Sequence, residues 1–152
     1  MSEAAGQGLS SVLFVCTLNS VRSPIAEGLA RQILDKAVYI ESAGLARSER
    51  DGFTLAVLRE IGIDLSPDAH RTLNDVGIEG FDVVVTLSRE ADAVVSERLR
   101  STAVTHLNWP VDDPTQTGGA RDARLAAYRA VRDQIRARIK AEIVPLQWRY
   151  HP

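Results

Sequence analysis

Short apolar runs alternate with longer amphipathic stretches along almost the whole chain, and that alternation restricts the fold more than any other feature. Residues 12–15 (VLFV) are apolar on both faces, as a strand buried in a parallel sheet is. Residues 38–42, 81–87 (FDVVVTL) and, more weakly, 104–109 read the same way. Between the first two, Ser23-Pro24 suits a helix start, Ser as a cap and Pro in the first turn, followed by an apolar stripe of Ile25, Leu29, Ile33 and Leu34. A helix over 53–61 stops at Gly62, and another covers 89–100. Residues 64–80 are rich in turn formers, with room for a short helix. From Arg121, the residues Leu125, Tyr128, Val131, Ile135, Ile139 and Ile143 mark one face of a long helix of normal pitch. Its other face carries Arg124, Arg129, Arg132, Arg136 and Lys140, interleaved with Asp122, Asp133 and Glu142, and is expected to lie in solvent. The order predicts a three-layer α/β fold: a four-stranded parallel sheet, helices on both faces and right-handed crossovers.

A chain of 152 residues suits one domain with a real core. The expected division is a flexible arm over 1–10, a single catalytic domain over 11–144 and a tail over 145–152. A net charge of -2 gives no general attraction to nucleic acid or an anionic membrane. No apolar run approaches the ~20 residues of a membrane span. Residues 1–11 lack the basic start and apolar stretch of a secretory signal, so a cytoplasmic setting is expected. With one cysteine there is no internal disulfide and no metal site built on several thiols. His70, His106 and His151 show no ligand spacing, so neither a metal nor another cofactor is expected.

In such a fold, ligands collect outside the carboxyl ends of the strands. The only thiol, Cys16, stands there, opening the segment CTLNSVRS over 16–23. A loop between a strand end and a helix N-terminus turns backbone N–H groups into one concavity, and the helix end adds partial positive charge. Thr17, Leu18, Asn19, Ser20, Val21, Arg22 and Ser23 are therefore expected to cradle a tetrahedral oxyanion. Arg22 supplies a planar fork for two of its oxygens. Asn19 tolerates the positive φ of a tight turn, and Ser23 can donate a hydrogen bond toward the sulfur. The same field favours the thiolate of Cys16. A thiolate beneath a phosphoryl group implies in-line attack and a phosphocysteine. An acid must then protonate the departing oxygen and a base must activate water. The loop containing Asp112-Asp113-Pro114, at the same sheet edge, is a source for both.

These residues carry a resemblance to the low-molecular-weight protein tyrosine phosphatases and to the arsenate reductases that share their fold. C-x5-R-S follows the first strand and continues as S-P-x-A-E-G-L. SAG at 42–44, GID at 62–64, FDVVVTLSREAD at 81–92 and Asp113-Pro114 fall in family order. The resemblance covers about residues 11–143. It implies that Cys16 is the nucleophile, Arg22 the clamp, Asn19 the shaper of the loop and Ser23 the support of the thiolate. It also implies that Asp113, directly before the proline, is the general acid rather than Asp112.

The departures narrow the chemistry. Leu18 stands where the family usually has Gly, and Val21 replaces a frequent second loop cysteine. Thr115 and Gln116 follow Asp113-Pro114 where tyrosine phosphatases often carry aromatic residues. CTLNS and VVTLSREAD lean toward the arsenate reductases, yet Ser88 and Val95 occupy the places of their resolving cysteines. The leading expectation is hydrolysis of phosphate monoesters, on a phosphorylated protein or a small molecule, with inorganic phosphate or arsenate as oxyanion ligands. Arsenate reduction with an external thiol is the second, and an oxyanion-binding module without turnover the third. His106 is expected to be packed and hydrogen-bonded rather than catalytic, and Trp109 to lie in the core rather than line the pocket.

Overall fold

The computed structural model describes residues 8–67 and 71–149. Four parallel strands, β1 (Ser11–Cys16), β2 (Tyr39–Gly44), β3 (Val83–Thr86) and β4 (Thr105–Asn108), lie in the order β2-β1-β3-β4. Helices α1 (Arg22–Ile33), α2 (Gly52–Arg59), α3 (Arg89–Arg98) and α4 (Arg121–Arg138) complete the expected alternation, with a short α5 (Leu146–Arg149) after it. β2 runs two residues beyond its expected end because Ala43 and Gly44 pair with Val15 and Cys16. That pairing brings SAG alongside the start of the Cys16 loop. Two 3-10 turns, Leu73–Asp75 and Ile78–Gly80, lie in the turn-rich stretch.

Successive side chains of a strand point to opposite faces, and β1 uses both. Val12, Phe14 and Cys16 join the cluster formed with α1, α2 and α4, which includes Ile25, Leu29, Leu58, Tyr128 and Ile135. Leu13 and Val15 join Ile78, Phe81, Ala91 and Val95 on the α3 side. Complete burial of each such aliphatic chain contributes about 1.5–3 kcal/mol. β1 is therefore a rigid post, with Cys16 at its end.

Three local expectations are corrected. Ser23 does not cap α1: Val21 holds the cap position without a side-chain hydrogen bond, and the Ser23 hydroxyl turns to the Cys16 sulfur instead. The long helix does not keep normal pitch to Ile143. After Arg138 it widens into a π-helical turn over Ile139–Ile143, in which the Val144 N–H donates to the Ile139 carbonyl at 3.0 Å. Pro145 follows, lacks an N–H and cannot continue the ladder, while Ile139 and Ile143 both stay fully buried.

The basic face of α4 is not simply solvated. Arg129 grips Glu60 at 2.7 Å, and Arg132, only 9% exposed, donates to Glu60 and to the Val57 carbonyl, each at 2.9 Å. A helix C-terminus attracts cations, and α4 supplies two to the end of α2. Hydrogen bonds from Arg129, reinforced by Arg132, pull Glu60 from its ordinary 4.5 down to about 2.

His106 is part-buried as expected, 2.9 Å from the Thr86 hydroxyl, and burial lowers its pKa. Trp109 is buried against Phe14, with its indole N–H donated to Glu142. The expected arm falls mostly outside the described residues, as do His70, Tyr150 and His151. Leu9, however, is buried, and the Ser10 N–H and hydroxyl both donate to Asp82 at 2.8 Å. In the expected tail, Gln147 is buried and accepts from the Asp35 N–H. No helix among the described residues is long and apolar enough to cross a membrane.

Candidate active site

Residues 17–21 link the end of β1 to α1 and fold around the Cys16 sulfur. Asn19, at φ 55°, is the one described non-glycine residue with positive φ. Leu18 thus takes its glycine-typical place without that strain, and its side chain is 46% exposed at the rim. Among the described residues the backbone N–H groups of 17–22 have no protein acceptor, and the Ser23 N–H points at Sγ from 3.4 Å. Unpaired amides at a helix start suit an anion.

A cleft of about 380 Å3 opens over this loop. It is lined by Cys16, Thr17, Leu18, Ser20, Val21 and Arg22 from the loop and by Glu90, Asp113, Thr115 and Gln116. Arg22 Nη1 donates to the Val111 carbonyl at 3.0 Å, tying the guanidinium to the loop that carries Asp113. Asp113 Oδ1 accepts from the Thr115 N–H at 3.0 Å and from its hydroxyl at 2.7 Å. With Oδ1 so committed, a proton on this carboxyl belongs on Oδ2. Asp112 is exposed and lies outside the cleft lining. A larger cavity of about 530 Å3 lies beside Glu27, Arg50 and Arg71, among paired charges and away from the thiol.

Asn19 and Ser23, expected among the oxyanion ligands, do not line the cleft. Both are fully buried, and their side chains work from behind the loop. The bonding partners give each hydrogen bond a direction. Glu27, buried between Arg50 at 2.8 Å and Arg31 at 2.9 Å, is an acceptor, so the Ser42 hydroxyl donates to it at 2.5 Å. The Ser42 oxygen then accepts from Asn19 Nδ2 at 2.9 Å. The Arg71 N–H can only donate, which identifies Asn19 Oδ1 as its acceptor at 3.0 Å. Asn19 Nδ2 also donates to Ser23 Oγ at 2.9 Å. The Ser23 proton is left for the sulfur at 2.9 Å, the competing Ala43 carbonyl being farther at 3.4 Å. A buried carboxylate thus orients a donor on Cys16 through three side chains.

Sequence reasoning gave Glu27, Ser42 and Gly44 no individual role. A Cβ on Gly44 would stand 2.7 Å from Asn19 N and from Leu18 C, so the cradle rests on a bare backbone. Glu27 could have been noticed as a charge between apolar neighbours on α1. Nearby, Asp51 caps α2 and accepts from the Tyr128 hydroxyl; burial, then Asp51, pushes that phenol well above its ordinary range. Ser88 caps α3 and accepts from the Thr17 hydroxyl at 3.0 Å, while Val95 is wholly buried.

Comparison with known proteins agrees with this architecture. An arsenate reductase of Halalkalibacterium halodurans is 33% identical over 129 residues, 85% of this chain and 91% of that protein. A solved arsenate reductase in its phosphate-binding state shares 26% identity at a TM-score of 0.72, covering 91% of this chain and 99% of its own. The low-molecular-weight protein tyrosine phosphatase of T. tengcongensis shares 26% at 0.74, covering 90% and 99%. The sequence model for low molecular weight phosphotyrosine protein phosphatase matches residues 11–147, and the chain belongs to that family.

Proposed function

We propose that the protein is a cysteine-dependent phosphatase acting on phosphate monoesters, carried by a phosphoprotein or a small molecule. Supporting this reading is the convergence on one cleft of a lone thiol, a ring of unpaired amides, a guanidinium and a carboxyl group. The loop amides and Arg22 hold the phosphoryl oxygens. The Cys16 thiolate attacks phosphorus in line, forming an S–P bond as the P–O bond to the leaving group breaks. Asp113 gives its Oδ2 proton to the departing oxygen. The Asp113 carboxylate then takes a proton from water, whose oxygen attacks phosphorus, and the S–P bond breaks to return the thiolate. The Ser23 hydroxyl stabilises that anion as it forms and as it leaves. A cytoplasmic setting, where thiols stay reduced, suits this chemistry.

Turnover of p-nitrophenyl phosphate by wild type, Cys16→Ser and Asp113→Asn tests the assignment. Cys16→Ser is expected to be inactive, and Asp113→Asn to lose about 10²–10⁴-fold, the usual worth of a general acid. Equal rates in all three refute it.

The similarity to arsenate reductases supports a second reading. Cys16 would attack arsenate to give a cysteine–arsenic adduct. An external thiol would then attack the Cys16 sulfur, leaving the electron pair on arsenic, releasing arsenite and forming a mixed disulfide that a second thiol reduces. With Ser88 and Val95 in place of cysteines, the chain has no thiol of its own for that step. Arsenate-dependent oxidation of a supplied thiol, absent in Cys16→Ser, is its signature.

A further inference from the structure

We propose that Glu90 selects substrates carrying a positive charge beside the phosphate, making a phosphorylated side chain in a lysine- or arginine-rich peptide the preferred substrate. This rests on the phosphatase reading. Besides the loop itself, the cleft is lined by Glu90, Asp113, Thr115 and Gln116, with no aromatic side chain to stack against a leaving group. Arg22 is its single cation, committed to the Val111 carbonyl and to the phosphoryl oxygens. A carboxylate at the mouth of a phosphate site opposes the binding of a bare anion. That opposition is offset when the substrate brings its own cation.

Glu90 is placed to act this way. It is exposed in the first turn of α3, and among the described residues it enters no ion pair. Among the described residues its carboxylate accepts one hydrogen bond, a long one of 3.4 Å from the Thr17 hydroxyl, which lies closer to Ser88 at 3.0 Å. The helix start has no need of it: Ser88 already caps the Ala91 N–H, and Asp92 supplies negative charge to the same turn. What remains for the Glu90 carboxylate is the cleft that it lines together with Cys16. Leu18, at the rim, adds an apolar contact that suits the methylene stem of a lysine or arginine.

The test compares matched phosphotyrosine peptides flanked by lysine or by glutamate, with p-nitrophenyl phosphate as the reference that has no flanking charge. Wild type, Glu90→Gln and Glu90→Lys are assayed at low and high salt. Wild type is expected to prefer the lysine peptide by about tenfold in kcat/KM, mainly through KM, fading at high salt. Glu90→Gln should reduce that preference to about twofold, and Glu90→Lys should reverse it. Binding of both peptides to Cys16→Ser, followed by fluorescence anisotropy, should show the same order without turnover. An undiminished preference in Glu90→Gln, or none in wild type, overturns the assignment while p-nitrophenyl phosphate turnover keeps the phosphatase reading. No turnover of any substrate, with charge-ordered binding to Cys16→Ser retained, overturns the phosphatase reading and leaves the charge selection standing. Absence of both overturns both.

Discussion

Replacing Gly44 by alanine sets two effects of opposite sign against each other. Gly44 does not have positive φ, so alanine meets no backbone strain there. By narrowing the unfolded ensemble it should stabilise by about 0.4–1 kcal/mol. Against this, the new Cβ would lie 2.7 Å from Asn19 N, Leu18 C and Ala46 O, all backbone atoms. Relief to an ordinary 3.4 Å needs a shift of 3.4 − 2.7, about 0.7 Å, in a loop pinned by the Thr17 carbonyl's bonds to Leu45 and Ala46. Overpacking of this kind costs about 1–3 kcal/mol, so net destabilisation wins, by up to about 2.5 kcal/mol. The functional effect is larger, because displacing a reacting group by ~1 Å costs ~100-fold. Urea unfolding should show a modest drop in midpoint, while p-nitrophenyl phosphate kcat falls by about one to two orders of magnitude. A Gly44→Ala protein with native stability and native kcat would refute the claim that SAG exists to let the loop approach β2.

Ser42→Ala leaves an Asn19 amide hydrogen without its acceptor in a buried site, at a cost of about 1–3 kcal/mol in denaturant unfolding. It also frees Ser23 to turn toward the Ala43 carbonyl, so kcat should fall with little change in KM; an unaltered kcat would sink the directed chain from Glu27 to the sulfur. Because the folded-state pKa of Glu60 is depressed from 4.5 to about 2, its contribution is complete above 4.5 and disappears as pH falls through about 2. Glu60→Gln should thus be less stable than wild type at neutral pH, with the two curves merging near pH 2 in thermal melts.

How legible the molecule is in its sequence depends on whether the determining contacts are local. Val12–Val15 announces a buried strand because all four residues are apolar, and the strand lies where expected. The Cys16 loop is equally legible, since a strand end, seven successive residues and a helix start already define a cradle. Asn19 even shows its positive φ. Directions of hydrogen bonds are not local. Ser23 next to Pro24 reads as a cap, and only Asn19, Ser42 and Glu27, gathered from the loop, β2 and α1, turn its hydroxyl to the sulfur. Arg132 reads as one more solvated arginine until α2 presents a carbonyl and a carboxylate to it. The π turn is likewise invisible in the periodicity, because Ile135, Ile139 and Ile143 keep a four-residue spacing whether the pitch is 3.6 or wider.

The burial of Glu27 follows from the same geometry. Two guanidiniums, Arg50 and Arg31, hold a carboxylate inside α1, and burial pulls the Arg50 pKa down even against Glu27's opposing pull. An isolated buried ion pair is poor value for stability, since well-packed hydrocarbon often does as well. Hydrocarbon at position 27 could not tell Ser42 which way to point, however, and a Ser42 hydroxyl turned toward Asn19 would set its proton against the amide hydrogen. A charge that can only accept supplies the polarity: it makes Ser42 a donor and leaves the Ser42 oxygen to accept from Asn19. The Asn19 amide, oriented by the Arg71 N–H, also donates to Ser23 and leaves the Ser23 proton for the sulfur. The desolvation cost is thus carried by the core, while its benefit appears at the far end of the hydrogen-bonded chain, where Ser42, Asn19 and Ser23 lead to the Cys16 sulfur.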